Sequence, residues 1–266
     1  MKDLLDTILE PGGLTVHFQP IMELREEGRR LYGLECLIRG PKGTNLESAD
    51  VLFDYVRRKR EESLVDRACV KAALERAREL PGRPHLSINV HASTLGRDHE
   101  FLVFLGDVAD VNAISLSDVT VEIVEHAPPW DGRSFLGALE GLRRIGVRIG
   151  LDDVGLGQSN YRMILDCRPD YFKIDRYFAL GCAKDPYRQA VLQSIHELAR
   201  RFGGRVVAEG VEHTEDLAAI QAIGIDLVQG YLFARAAPLE TLLESGLLGP
   251  DRKSGAPRVP DAEAPA

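Results

Sequence analysis

The stretch LTVHFQPIMELREEGRRLYGLECLIR, residues 14–39, decides how the chain folds. It holds two β-type runs, Leu14–Ile21 and Leu31–Arg39, joined only by Met22–Arg30. The link is polar and carries Gly28. A parallel crossover needs a dozen or more residues, usually a helix, so these two runs are expected to pair as an antiparallel hairpin. Downstream the spacing changes. Six more runs follow: His85–Val90, Val119–Val124, Val147–Asp152, Tyr171–Ile174, Arg205–Ala208 and Leu227–Leu232. The segments Ser63–Leu80, Arg133–Ile145, Tyr187–Phe202 and Thr214–Ile223 have apolar residues at helical spacing. Ser63 with Asp66 reads as a capping pattern, Thr214 as a helix start and Gly224 as a stop. Repeated strand–helix units imply parallel strands in one sheet. Eight strands imply closure into a (β/α)8 TIM-like barrel, an α/β fold whose first strand runs antiparallel to the rest.

The composition agrees with one globular unit. The chain has 266 residues, 44% of them hydrophobic and 28% charged, which excludes global disorder. Residues 249–266 are rich in Pro, Gly and Ala and read as a disordered tail, leaving 1–248 as a single barrel domain. The tail carries three basic and three acidic residues, so the whole net charge of -8 belongs to the barrel. Residues 1–13 are too short to form a domain, and the chain reads as a stand-alone unit. No apolar run approaches the roughly 18 residues of a membrane span. The start, Met1-Lys2-Asp3-Leu4-Leu5-Asp6, lacks the basic and apolar regions of a signal peptide. The acidic balance speaks against a nucleic-acid polymer or an anionic membrane as partner. Cys36, Cys69, Cys167 and Cys182 form no C-x-x-C pair, which points to idle thiols in a reducing cytoplasm.

In barrels of this type, chemistry sits at the carboxyl ends of the strands. There this chain places Glu35, Asn89, Glu122, Asp152-Asp153, Lys173 with Asp175, Glu209 with Glu212, and Gln229. A single such acid is most simply a structural hydrogen-bonding residue. A ring of carboxylates on successive strands is not, because uncompensated buried charges cost several kcal/mol each. Oxygen-only donors suit Mg²⁺ or Mn²⁺ rather than zinc. The adjacent Asp152 and Asp153 can serve two ions, and two metals are the common device for in-line attack on a phosphodiester. Lys173 fits as an electrostatic partner of water or phosphate, and Glu209 as general base or further ligand.

At these residues the chain resembles the EAL-domain family of cyclic di-GMP phosphodiesterases. The family motifs appear in order as Gln19-Pro20-Ile21, Glu35-Cys36-Leu37-Ile38-Arg39, Asn89, Glu122-Ile123-Val124-Glu125, Asp152-Asp153, Lys173-Ile174-Asp175, Ala208–Glu212 and Gln229-Gly230-Tyr231. The resemblance covers residues 14–240. It implies hydrolysis of cyclic di-GMP to linear pGpG with two Mg²⁺ or Mn²⁺ ions. Glu35, Asn89, Glu122 and Asp152 are then expected to hold one ion. Asp153 is expected to hold the second, sharing Asp152. Lys173 and Glu209 act on the water. Gln19, Leu37, Arg39, Asp175, Glu212 and Gln229 are expected at the substrate. Glu125 is expected to tether the loop after strand five, and a cytoplasmic homodimer is the expected assembly.

That loop departs from the family pattern at Val154, Leu156, Gln158 and Asn160, while Gly155 and Gly157 remain. It places Asp153 and takes part in family dimerisation. Cys36 replaces a family Ala, and His91 replaces a Ser and reads as a solvated loop residue. His126 and Trp130 read as packing residues of a turn. Two other functions stay open at this stage. One is a degenerate EAL domain acting as a cyclic di-GMP receptor or interaction module. The other is an unrelated metal-dependent barrel hydrolase or lyase.

Overall fold

Residues 14–39 form the expected hairpin in a computed structural model that describes residues 4–26, 28–124, 132–156 and 161–248. Its arms, β1 (Thr15–Arg25) and β2 (Gly28–Arg39), are longer than their sequence suggested. Pairing runs on to Arg25↔Gly28, so most of the expected link is strand. The remaining strands are β3 (His85–His91), β4 (Val119–Val124), β5 (Arg148–Val154), β6 (Tyr171–Ile174), β7 (Arg205–Ala208) and β8 (Leu227–Gln229). They close in sequence order into a barrel. β1 is antiparallel to both its neighbours, β2 and β8, and the other pairings are parallel.

Side chains alternate between the helical shell and the lumen, as the period of a strand requires. Leu34, Cys36 and Ile38 of β2, Val121 and Ile123 of β4, Ile149 and Leu151 of β5, and Phe172 and Ile174 of β6 join the core under the helices. The alternate positions fill the lumen. Its lower layer is Ile21, Tyr171, Val207 and Leu227, with Tyr32 against them. The functional candidates stand above that layer.

Two bulges break the alternation. Between β1 and β2, Ile21 faces Gly33 and Met22 faces Leu31, leaving Tyr32 as the extra residue. Between β5 and β6, Leu151 faces Phe172 but Val154 faces Ile174, so β5 has one residue too many at Asp152-Asp153. Asp153 takes a left-handed φ of +52°, a region in which Asp is enriched among non-glycine residues.

The expected helices appear as Glu62–Ala77, Gly132–Arg144, Pro186–Phe202 and Thr214–Ile223. Asp66 does not cap the first of these. It lies inside the helix, buried, and its carboxylate is used elsewhere. Helices Ala49–Lys59, Ala92–Arg97, Phe101–Val111 and Tyr161–Cys167 complete much of the shell. All four cysteines are free and buried. The stretch 249–266, read as a tail, lies outside the described residues, as do Glu125, His126, Trp130, Gln158 and Asn160. No helix among the described residues is long and apolar enough to cross a membrane.

Candidate active site

Lys173 organises the upper lumen. It points inward from β6 because Phe172 and Ile174 on either side point to the shell. Its ammonium Nζ lies 3.1 Å from Glu35 Oε1, 2.7 Å from Glu122 Oε2, 3.2 Å from Asp152 Oδ1 and 2.8 Å from Glu209 Oε1. Only 1% of Lys173 and of Glu122 is exposed, so water screens these contacts little. β2, β4, β5 and the turn after β7 each deliver one acid to one cation. Room for them depends on Gly150, which pairs with Glu122 across β4 and β5. A Cβ there would stand 3.0 Å from the Glu122 Cγ and 3.2 Å from a Thr120 methyl.

A second layer of amides holds Glu35. Asn89 Nδ2 donates to Glu35 Oε1 at 3.1 Å, and Gln229 Nε2 donates to Glu35 Oε2 at 2.7 Å. Gln229 also donates to Gln19 Oε1 at 3.1 Å, and Gln19 Nε2 donates to the Ala234 carbonyl at 3.2 Å. The sequence-derived set Glu35, Asn89, Glu122, Asp152, Lys173, Glu209, Gln229 and Gln19 is thus one contiguous network.

One ammonium does not neutralise four carboxylates. Burial pushes the Glu122 carboxyl up to about 8, against the pull of Lys173 and with Glu35 and Asp152 adding repulsion. Burial also lifts Glu209 well above the usual range, and Asp152 and Glu35 lift it further. Burial works the same way on Glu35, but Lys173 and the amides of Gln229 and Asn89 outweigh it and hold that carboxyl low. The acids hold Lys173 protonated despite its burial. Asp153, exposed at the rim, is raised by partial burial and by the neighbouring Asp152 and Asp175.

These donors fit a hard divalent cation. They are all oxygens, their charge exceeds what Lys173 offsets, and the buried Asn89 Oδ1 has no hydrogen-bond donor. Among the described residues no three acid, imidazole or thiol groups already form a coordination cage, because the carboxylates close on Lys173 instead.

The other expected residues lie at the rim. Leu37 is half-buried and lines a cavity of about 270 Å³ that also reaches Glu35, Asn89 and Asp152. Arg39 ends β2 opposite Thr15, with Nη1 on the Ile38 carbonyl at 3.0 Å. Asp175 accepts from the Tyr177 backbone at 2.7 Å as the cap of a short helix, and Glu212 pairs with Arg176 at 3.3 Å. Asp175 is close enough to the rim carboxylate Asp153 to raise it. The loop after β5 is closed by its backbone. Leu156 N–H donates to the Asp153 carbonyl at 3.0 Å, Gly155 takes φ +97°, and Val154 is buried in the shell.

His91 corrects its sequence reading. It is the last residue of β3, only 6% exposed, rather than a solvated loop residue. Asp66 Oδ1 accepts from its Nδ1 at 2.9 Å, and Oδ2 accepts from its backbone N–H at 2.9 Å and from Thr94 Oγ1 at 2.6 Å. Asp66 raises the His91 pKa against the lowering by burial. This clamp ties the end of β3, two residues past Asn89, to helix Glu62–Ala77. Sequence reading also missed Asp50, Phe53 and Arg57, which line the cavity from helix Ala49–Lys59. Their i, i+3, i+7 spacing was the available signal.

The family description "EAL domain" matches residues 1–236. The chain belongs to the EAL domain family. This EAL domain is 29% identical over 256 residues to a Pseudomonas aeruginosa protein named cyclic di-GMP phosphodiesterase NbdA, covering 92% of this chain and 31% of that one. It is 29% identical over 241 residues to cyclic di-GMP phosphodiesterase PdeB of Shewanella oneidensis, covering 89% and 28%. The chain therefore spans about a third of the length of these relatives. Among solved structures it resembles a standalone versatile EAL protein from Vibrio cholerae O395 in its c-di-GMP bound form. There the TM-score is 0.74 at 26% identity, with 84% of this chain and 92% of that one covered. It also resembles Klebsiella pneumoniae BlrP1 in a manganese/cy-diGMP complex, with TM-score 0.74, 27% identity, and 86% and 57% covered.

Proposed function

We propose that this domain hydrolyses cyclic di-GMP to linear pGpG at the Lys173 centre. The observation that carries the reading is the convergence of Glu35, Glu122, Asp152 and Glu209 on one buried ammonium at the carboxyl ends of four strands. Relatives named as cyclic di-GMP phosphodiesterases, and a manganese complex of a structural neighbour, support it. Glu35, Asn89, Glu122 and Asp152 would hold one Mg²⁺ or Mn²⁺ ion, and Asp153 with Asp152 a second. When bound, such ions acidify water and neutralise phosphate charge.

The chain supplies the rest. Arg39 stands at the rim with a guanidinium suited to a phosphate oxygen. Lys173 fixes the orientation of the carboxylates and places positive charge where a pentavalent phosphate gathers negative charge. Glu209, held 2.8 Å from the Lys173 ammonium in the turn after β7, is the carboxylate placed to take a proton from water. Gln229 and Asn89 keep Glu35 ionised and in place. In the assembled protein we propose a homodimer, for which the exposed Tyr161 and Leu165, one helical turn apart, offer an apolar face.

The test is a turnover assay with cyclic di-GMP and Mg²⁺ or Mn²⁺. Expected is linear product that disappears in EDTA and in Glu209→Ala. Ligand binding without turnover in either metal would replace the enzyme by a receptor.

A further inference from the structure

The carboxyl end of β3 is paired on one side only. β4 accompanies it to the last residue, with Asn89 opposite Glu122, Val90 opposite Ile123 and His91 opposite Val124. β2 stops short of it at Cys36↔Ile88. Asn89, whose amide reaches Glu35, is therefore the first residue of β3 beyond the β2 ladder. A strand end with one partner opens more readily than the paired strand behind it, unless other groups take its donors.

Asp66 takes them. Only 1% exposed in helix Glu62–Ala77, its carboxylate accepts from the His91 backbone N–H and from His91 Nδ1, both at 2.9 Å, and from Thr94 Oγ1 at 2.6 Å. One acid thus joins the last residue of β3 to helix Ala92–Arg97, which follows it. Phe53 backs the imidazole, with ring centroids 5.5 Å apart. Leaving a buried carboxylate short of a donor is costly, so the three contacts hold together. His91 and Asn89 are two residues apart and share one face of β3. The direction of the Asn89 amide matters at both its ends: Nδ2 donates to Glu35 Oε1 at 3.1 Å, and the buried Oδ1 has no hydrogen-bond donor.

We propose that Asp66 is a positioning residue for Asn89. By fixing the one-sided end of β3 it sets the direction of the amide, so that Oδ1 is available to a divalent cation while Nδ2 stays on Glu35. This rests on the proposed cation at Glu35 and Asn89. It gives a role to an acid that touches neither metal nor substrate and acts through the strand.

The experiment measures Mn²⁺ binding to the nucleotide-free full chain from the loss of the free-ion electron paramagnetic resonance signal. Asp66→Asn keeps the shape of the side chain and withdraws an acceptor. It is expected to weaken Mn²⁺ roughly tenfold, as when a group that orients a metal ligand is removed. Leu192→Ala, a truncation on the buried face of helix Pro186–Phe202 against β6 and β7, lowers stability away from β3 and should leave Mn²⁺ affinity as in the parent. The deciding arm is Asn89→Ala, in which adding Asp66→Asn should change Mn²⁺ affinity no further. Turnover should split the same way. Asp66→Asn raises the Mn²⁺ concentration for half-maximal rate roughly tenfold and leaves the rate at saturating Mn²⁺ close to that of the parent. If Asp66→Asn does not fold, Thr94→Val removes one of the three donors and should weaken Mn²⁺ by a smaller factor, again only while Asn89 is present. Parent-like Mn²⁺ affinity in the folded variant, or an undiminished loss in the Asn89→Ala background, would overturn the positioning role and leave the metal site standing. A parent that binds no Mn²⁺ would overturn both.

Discussion

At the lower end of the lumen Tyr32, His85 and Tyr171 meet ring to ring, with centroids 5.6 to 6.1 Å apart. Two residues further along β6, Lys173 is surrounded by carboxylates. The same strands supply both layers. The floor is neutral: burial, with Arg148 nearby, pushes His85 down to about 4, and burial with the Tyr32 hydrogen bond pushes the Tyr171 hydroxyl up. Its polar atoms are satisfied within the protein, Tyr32 with Tyr171 and His85 with Thr120. The upper layer keeps an excess of negative charge and two buried amide oxygens without a donor, Asn89 Oδ1 and Gln229 Oε1. The floor is complete by itself, whereas the mouth reaches electroneutrality only by holding protons or a cation.

That contrast can be broken from either end. The largest effect is expected at the mouth. Glu35→Ala removes the acid that Asn89, Gln229 and Lys173 all hold, and should lower turnover on the order of 10³-fold, read as initial rate of linear product. Lys173→Met leaves the carboxylates uncompensated and should destabilise the metal-free protein by about 3–5 kcal/mol in denaturant titration. Mn²⁺ should recover more stability in this variant than in the parent. A Lys173→Met protein as stable as the parent without metal would contradict the charge imbalance.

The pH dependence is next in size. Glu122 moves from 4.5 to about 8 on folding. Between those values the folded state binds more protons than the unfolded one, so its contribution to stability is full below 4.5 and is lost as pH rises toward 8. The melting temperature of metal-free protein should fall across that window, and saturating Mn²⁺ should flatten the slope. A rising curve would reverse the assignment. The smallest effect belongs to the floor. Tyr171→Phe removes one hydroxyl from the Tyr32 pair and should cost about 1 kcal/mol, with turnover unchanged.

The barrel and the mouth were legible for one reason: both depend on local alternation. A short polar link forced the hairpin, and an acid flanked by apolar residues on a strand marked a lumen position, as at Glu122 between Val121 and Ile123. What depends on contacts across distant segments was not legible. Asp66 and His91 are 25 residues apart, and nothing local distinguishes that acid from a helix cap. His85 and Thr120 are 35 apart, and Tyr32 enters the lumen only through a bulge that no residue type announces.

The bulge in β5 gives the segment a property that composition does not convey. Ile149 and Leu151 face the shell, and so does Val154, although strict alternation from them would turn it into the lumen. Asp153 is the residue that switches the parity. Exchanging it for Asn would keep the count and the backbone path, whereas deleting it would remove the bulge: Val154 would still face the shell by simple alternation, but the rim carboxylate beside Asp152 would be lost and the following turn would come one residue short. In this strand the number of residues is itself part of the site, and a gap of one there should cost more than most substitutions.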